Sequence, residues 1–244
     1  MVNKLSIAHC SDIHLGANSL NGEVIRNSFS LALKEMSQHS PDLLIIAGDL
    51  FDSNNVGNET VDWTMKVLSE LSFNVVIIPG NHDCLEENAI LRIFDFNSVP
   101  NVFVLMAAEG ELVKFDELKL AMWGKGIIQH NVKYKPLDGC PDKPEDCDWY
   151  IGLGHGFFVP RDEQTLRSSP IFMDQIETSP CDYLALGHHH AAKQISNDYT
   201  IAAYSGSPTD NIGGSRSYII VDLISGQKPN LHIHSLPQKQ IKYL

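Results

Sequence analysis

The chain has 244 residues, 43% of them hydrophobic and 20% charged, a balance that belongs to core-forming globular proteins and excludes a disordered one. Its formal net charge is 18 − 30 = −12. That counts against a broad basic face gripping a polyanion, because such binding neutralises phosphates with Lys and Arg. The opening residues, MVNKLSIAHCSD, form neither a signal peptide nor a membrane span. The five cysteines (Cys10, Cys84, Cys140, Cys147, Cys181) lack framework spacing and read as free thiols in a reducing compartment. The expectation is one cytoplasmic domain over residues 1–244, with no membrane partner.

In chain order, the first element is LSIAHC, a short apolar strand that meets SDIHLG. Residues 23–37 carry Val24, Ile25, Phe29, Leu31 and Leu33 on a helical stripe. DLLIIA then leads into GDLFD, residues 59–71 place Val61, Met65, Val67, Leu68 and Leu71 at helical spacing, and NVVIIP leads into GNHD. Strand, helix, strand, helix, strand is a parallel βαβαβ unit. Residues 111–124 alternate around a tight turn like a hairpin. The segment 125–148, with Pro136, Pro141 and Pro144, reads as a surface excursion. WYIGL then leads into GHGF and DYLAL into GHHH, and TIAAYSG, SYIIVDL and NLHIHSL close the chain as short alternating strands. A parallel half followed by a more antiparallel half predicts an α/β fold of two mixed sheets packed face to face, with helices outside.

Five of these runs end in polar clusters, at the strand ends where open α/β sheets bind ligands. Asp12 and His14 are spaced i, i+2, so both side chains point to one side and can share an ion. Alone, the pair reads as well as a capping Asp beside a packed His. His188 and His190 repeat the spacing, with His189 between them pointing away and given no metal role. Asp49 follows the most hydrophobic strand, where an unpartnered carboxylate is costly to desolvate, and its two oxygens can bridge two cations. Asn81 offers a neutral oxygen. His155 adds an imidazole, although taken singly it reads as structural. Two Asp, four His and one Asn are too many ligands for one transition metal and suit two, leaving positions open for water and substrate. Two divalent ions outweigh both Asp residues and a bridging hydroxide, so the site attracts a phosphate ester for in-line attack by that hydroxide. His82, beside Asn81, is the expected general acid, with Asp52 orienting it. Asp52 also reads as a helix N-cap in FDSNN, and Asp83 as a cap or turn residue. His9, His39, His130, His232 and His234 lack partners at informative spacing, and the last two read as surface or sheet residues.

The ordered set Asp12-x-His14, Gly48-Asp49-x-x-Asp52, Gly80-Asn81-His82-Asp83, Gly154-His155 and Gly187-His188-x-His190 resembles the calcineurin-like metallophosphoesterase superfamily. The resemblance implies a four-layer α/β/β/α sandwich and a two-metal centre, with Mn first and Fe or Zn as alternatives, that hydrolyses phosphoesters. It assigns Asp12, His14, Asp49 and His190 to one metal and Asp49, Asn81, His155 and His188 to the other, with His82 as general acid and Asp52 as its partner. Within the superfamily, HCSDIHLG, GDLFD, PGNHD, CDYLALGHHH and AYSGSPTD are most similar to the SbcD-type DNA-repair exonuclease group. Protein Ser/Thr phosphatases fit less well, because Ser53 stands where their Arg would be. The lipid-precursor pyrophosphatases usually have Arg in place of His82. The 37 residues after Ser207 are too few for the capping domain and ATPase-binding helices of the nuclease group.

The leading expectation is a Mn-dependent phosphodiesterase of nuclease type, acting on DNA or a related nucleic acid. The second is a phosphoesterase acting on cyclic nucleotides or other small phosphate esters. The third is an inactive scaffold, which retention of all seven ligands and of His82 counts against. A basic strip near the site favours the first and a closed acidic rim the second, with Lys34, Lys125, Arg161 and Arg167 as candidate residues. An ATPase or other protein partner and the oligomeric state are left open.

Overall fold

The computed structural model describes residues 4–17, 22–196, 200–210 and 215–236. Strand β1 (Lys4–Cys10) is followed by helix α1 (Gly22–Ser37), β2 (Leu43–Ala47), α2 (Asn58–Ser69) and β3 (Asn74–Ile78). The three strands pair in parallel, as the βαβαβ reading expects. β2 is buried at every residue, which suits a parallel strand covered on both faces. α1 buries Phe29, Ala32, Leu33 and Met36, the i, i+3, i+4, i+7 spacing of one helical face. Val24 and Ile25, from the same expected stripe, line a cavity beside His14.

A short helix α3 (Ile90–Ile93) and β4 (Val102–Val104) complete this half. β5 (Glu111–Phe115) and β6 (Leu120–Gly124) form the expected hairpin, and residues 125–148 hold no regular element. Then come β7 (Trp149–His155), β8 (Phe157–Val159), β9 (Pro170–Phe172), α4 (Met173–Glu177), β10 (Tyr183–Gly187), β11 (Lys193–Ser196), β12 (Ile201–Tyr204), β13 (Ser217–Ile224) and β14 (Asn230–Ser235).

Two six-stranded sheets result, in the orders β14-β13-β1-β2-β3-β4 and β11-β12-β10-β7-β6-β5, with β8 and β9 as a separate pair. Both are mixed. β6, β7, β10 and β12 run parallel, where the later half of the sequence suggests a more antiparallel arrangement. The crossovers between them carry only the five-residue α4, so no long helical period announces a parallel connection. β13 returns to the first sheet and pairs antiparallel with β1.

The sheets face each other across an apolar layer in which Ile7, Ile45 and Val76 meet Met122, Ile151 and Ala185. Outside the first sheet, Phe29, Met36, Val61 and Leu68 of α1 and α2 pack with Ala8, Leu44, Ile46 and Ile77. Outside the second, Leu137, Ile171 and Ile176 pack with Tyr150, Leu184 and Tyr204. The architecture is the α/β/β/α sandwich, with a fourth layer made largely of irregular chain.

His9 is fully buried, and its Nδ1 lies 2.8 Å from Tyr183 Oη on the facing sheet. Burial pushes its pKa from 6.5 down to about 3. The unfolded chain therefore binds a proton below pH 6.5 that the folded chain refuses until about pH 3, and stability falls as pH drops through that window. In metal-stripped protein, denaturant unfolding at pH 7 and pH 4.5 is expected to show the wild type losing about 2–3 kcal/mol more than His9→Gln. Equal losses would contradict a neutral buried His9.

Candidate metal centre

The parallel strands β1, β2, β3, β7 and β10 bring their C-terminal ends to one edge of the two sheets. Asp12 and His14 follow β1, Asp49 and Asp52 follow β2, Asn81 and His82 follow β3, His155 closes β7, and His188 and His190 follow β10. All nine sequence-predicted residues meet there. The segments after β1 and β2 run side by side: Asp12 N donates to Gly48 O (3.0 Å), Ile13 N to Asp49 O (2.8 Å) and Asp52 N to Leu15 O (3.0 Å). Asp12, His14, Asp49 and His188 take positive φ values of 54°, 55°, 52° and 102°. Such backbone costs a non-glycine residue on the order of 1–3 kcal/mol and persists where surrounding structure over-determines it. Two glycines are required by close approach. A Cβ on Gly48 would stand 2.2 Å from His155 Nδ1, and one on Gly187 would stand 1.9 Å from Ala47 O.

The hydrogen bonds of the histidines decide where their lone pairs point. His155 Nδ1 donates to Ala47 O (2.8 Å), so in the neutral ring the lone pair of Nε2 faces Asn81 Oδ1 (3.1 Å) and Asp49 Oδ2 (3.3 Å). His190 Nδ1 donates to Asp210 Oδ2 (2.7 Å), which turns the lone pair of its Nε2 toward His14 Nε2 at 3.4 Å and Asp12 Oδ1 at 3.7 Å. Acceptors facing acceptors in a buried site are reconciled by cations. Ligand atoms of Asp12, His14 and His190 lie within 4.8 Å of one another, as do those of Asp12, Asp49 and His155. Asp12 and Asp49 are 0% and 2% exposed. His188 Nδ1 reaches Asn81 Oδ1 (2.9 Å), and the His188 N–H donates to both Asp12 carboxylate oxygens (3.1 and 3.0 Å). The residues present therefore fit two divalent ions.

Electrostatics follow from the same packing. Burial favours a neutral His155 ring, but in the metal-free protein the facing Asp49 carboxylate outweighs it and holds the pKa up to about 9, so a proton on Nε2 stands where a cation would. Burial, reinforced by His155, pushes His188 down to about 3. Asp83 is buried and accepts Gly80 N (2.7 Å) and Phe51 N (3.1 Å), tying the loop after β3 to the loop after β2, which bears out its turn reading. Burial and the nearby Asp49 push it up to about 6. Asp52 caps no helix, since α2 begins at Asn58 behind Gly57. Its main-chain carbonyl accepts His82 Nδ1–H (2.8 Å), while its carboxylate lies 3.3 Å from His14 Nδ1 and 3.9 Å from His82 Nδ1. The backbone of Asp52, more than its side chain, meets His82. A ligand atom of His82 also lies within 4.8 Å of those of His14 and Asp49.

The model of the calcineurin-like phosphoesterase family matches residues 5–192. The chain belongs to that family. It is 26% identical over 100% of its length to the DNA double-strand break repair protein Mre11 of Methanosarcina mazei, of which it spans 40%. It is also 26% identical over 93% of its length to a subunit of the nuclease SbcCD from Staphylococcus epidermidis, of which it spans 68%. A shorter likeness, 33% identity over 37% of this chain and 35% of the relative, links it to a "Probable cyclic nucleotide phosphodiesterase" of Fibrobacter succinogenes. Among solved structures, a Thermus thermophilus protein superimposes with a TM-score of 0.62 at 10% identity, covering 95% of this chain and 98% of that one. A novel archaeal phosphodiesterase does so with 0.52 at 16% identity, covering 95% and 100%. At these identities both speak for the fold alone.

In this calcineurin-like phosphoesterase, several site residues escape sequence reasoning. Asp210 holds His190, its own N–H donates to Ser207 Oγ (3.0 Å), and Ser207 Oγ donates to Asp12 O (2.7 Å). The phrase AYSGSPTD thus ends in a residue that sets an imidazole's tautomer, a role its position after a late strand did not reveal. Exposed His130, left without a role by its spacing, has its ring centroid 6.5 Å from that of His188. Because a carboxylate that orients a ligating histidine also raises its basicity, Asp210→Ala is expected to weaken metal binding or turnover by about 10–100-fold. Metal titration by calorimetry checks this, and an unchanged affinity and rate would remove Asp210 from the site. Among the described residues, no helix is long and apolar enough to cross a membrane.

Proposed function

We propose that this phosphoesterase is a two-metal phosphodiesterase of nuclease type, working as a single cytoplasmic domain with Mn as the favoured metal. The supporting geometry is the convergence of His155 Nε2 on Asn81 and Asp49 oxygens, and of His190 Nε2 on His14 Nε2 and Asp12 Oδ1, acceptors that a cation would satisfy. Asp12, His14, Asp49 and His190 would hold one ion, and Asp49, Asn81, His155 and His188 the other. The chemistry such a pair supplies when bound is activation of water and neutralisation of charge in an in-line displacement. His82 carries the leaving-group step. The Asp52 carbonyl keeps one proton on Nδ1 (2.8 Å), so a second proton, taken up at Nε2 from the cleft, is the one given to the departing alkoxide. The ring is 43% exposed, which allows it to recharge from solvent. Nucleic acid as substrate rests on likeness to the Methanosarcina and Staphylococcus proteins along almost the whole chain.

One observation favours a second reading, a small phosphodiester. The net charge is −12 and three of the four candidate cations are engaged: Arg161 pairs with Asp174 and Glu177, Lys125 donates to Asp138 O, and Arg167 stacks over Phe157. Metal-stripped protein reloaded with Mn should be offered single- and double-stranded DNA, bis-(p-nitrophenyl) phosphate and a cyclic nucleotide, with His82→Ala as blank. DNA degradation absent from the blank is the expected result. Turnover of the small esters alone would transfer the proposal to the second reading, and no turnover would leave a scaffold.

A further inference from the structure

Two thiols outside the metal centre stand in contact. Cys140 Sγ lies 3.8 Å from the sulfur of Cys181, 41 residues on in the chain. Cys140 sits in the irregular segment 125–148 and is half-buried, whereas Cys181 is 4% exposed and packs in the outer apolar layer just before β10. β10 runs its whole length between Cys181 and His188, so the pair belongs to the end of the sheet remote from the metal ligands.

Neighbouring bonds hold the two segments together. Asp182 accepts Lys143 Nζ (2.9 Å) and Tyr150 N (2.7 Å), which ties the chain after Cys140 to the residue after Cys181. Tyr150 Oη donates to Pro141 O (3.1 Å) and stands 3.4 Å from Cys140 Sγ. Gly152 leaves room for the second sulfur, since a Cβ there would stand 2.9 Å from Cys181 Sγ. The fold has therefore already met most of the entropic cost of bringing the two cysteines together. A bond of ~2.0 Å asks the sulfurs to close by about 1.8 Å, which a χ1 rotation of Cys140 on irregular chain supplies.

The two sulfurs are chemically unequal. The Cys181 S–H donates to the Cys140 sulfur and, with the Tyr150 hydroxyl alongside, lowers the Cys140 pKa against burial and the nearby Asp142. The same hydrogen bond, together with burial, raises Cys181. Cys140 is thus the accessible nucleophile and Cys181 its sheltered partner, and once Cys140 is bonded to another sulfur the main cause of the raised Cys181 pKa is gone. Burial and the Asp146 carboxylate, 3.8 Å from its sulfur, raise Cys147, which is nearer in sequence.

We propose that Cys140 and Cys181 form a reversible dithiol–disulfide pair, a redox modification site that a low-molecular-weight disulfide oxidises and that fastens the 125–148 segment to the start of β10. The pair needs neither metal nor substrate. The Cys140 thiolate attacks one sulfur of the small disulfide, whose S–S bond breaks, and one small thiolate leaves with the electron pair and is protonated. Cys181 then gives its proton to solvent and attacks the Cys140 sulfur of the mixed disulfide, expelling the second small thiolate, which is protonated in turn. Two protein thiols are oxidised and one small disulfide is reduced to two thiols. In a reducing compartment the pair rests as thiols and closes when the small-disulfide pool rises, the transient behaviour of most intracellular disulfides.

The test equilibrates the Mn-loaded full chain in glutathione buffers of increasing disulfide content, blocks the remaining thiols and maps the peptides by mass. The expected result is loss of two of the five thiols to a single Cys140–Cys181 bridge, with full return on adding reduced glutathione. Cys181→Ser should stop at one glutathione held on Cys140, and Cys147→Ser should form the bridge as the wild type does. All thiols free at every buffer composition, a bridge to Cys147, or no glutathione on Cys140 in Cys181→Ser would overturn the pair. The wild-type map decides even where the buried Cys181 position tolerates serine poorly. Tryptic cleavage after exposed Lys133 should slow severalfold in the bridged protein, and an unchanged rate would overturn the fastening.

Discussion

Asp49→Ala is expected to empty or scramble both metal positions and to lower phosphodiester turnover by on the order of 10³-fold or more, beyond the ~10–100-fold typical of residues that only orient a ligand. One carboxylate reaches both halves of the site: Oδ1 accepts the His82 N–H (2.8 Å), and Oδ2 stands 3.3 Å from His155 Nε2 and 3.9 Å from His14 Nε2. Burial alone would favour its protonated form, but the facing His155 and His14 rings hold it well below the usual carboxylate range. It is therefore present as an anion where a bridging anion is needed. Element analysis of the purified variant, with circular dichroism to verify folding, decides the matter. One ion retained at full occupancy would contradict the bridging role.

His82→Ala should behave differently, keeping both ions while losing turnover by about 10²–10⁴-fold, the usual worth of a positioned acid. Its ring packs edge-on against His14 with centroids 4.5 Å apart, and Nδ1 is already committed to the Asp52 carbonyl. Only Nε2 is left for chemistry in the cleft. Since a ligand atom of His82 also comes within 4.8 Å of the His14 and Asp49 ligand atoms, loss of an ion in this variant would make the residue a ligand and return the acid's role to another group. Metal content and steady-state rate on the same preparation separate these outcomes.

The fold was legible where burial and repetition coincide. Each of the five strands at the site is a short apolar run closed by a polar cluster, and the glycines beside Asp49 and His188 are there because a methyl group would strike His155 or Ala47. Such close approach leaves a mark in the residue itself. Long-range partners leave none: Asp210 stands 20 residues from His190 and meets it only because the chain crosses back after β12. The same holds for His9, whose partner Tyr183 lies on the opposite sheet, and for Cys140, whose sulfur is 3.8 Å from that of Cys181 although spacing sets it beside Cys147. His39, which spacing left unassigned, lines one cavity with His232 and His234, which lie on β14 as the surface or sheet reading expects, with His234 stacked on Tyr218 at 10°. Helix α4, of five residues, is too short to show a period, so the parallel core of the second sheet stayed hidden.

The measurement that bears most directly on the central claim is the hydrolysis rate of metal-stripped protein titrated with Mn, read against bound ions per chain. A site built as this one is predicts little activity through the first equivalent and a rise to full rate with the second, with Asp49→Ala flat throughout. Full activity at one ion per chain, or in the stripped protein, would contradict a two-metal centre.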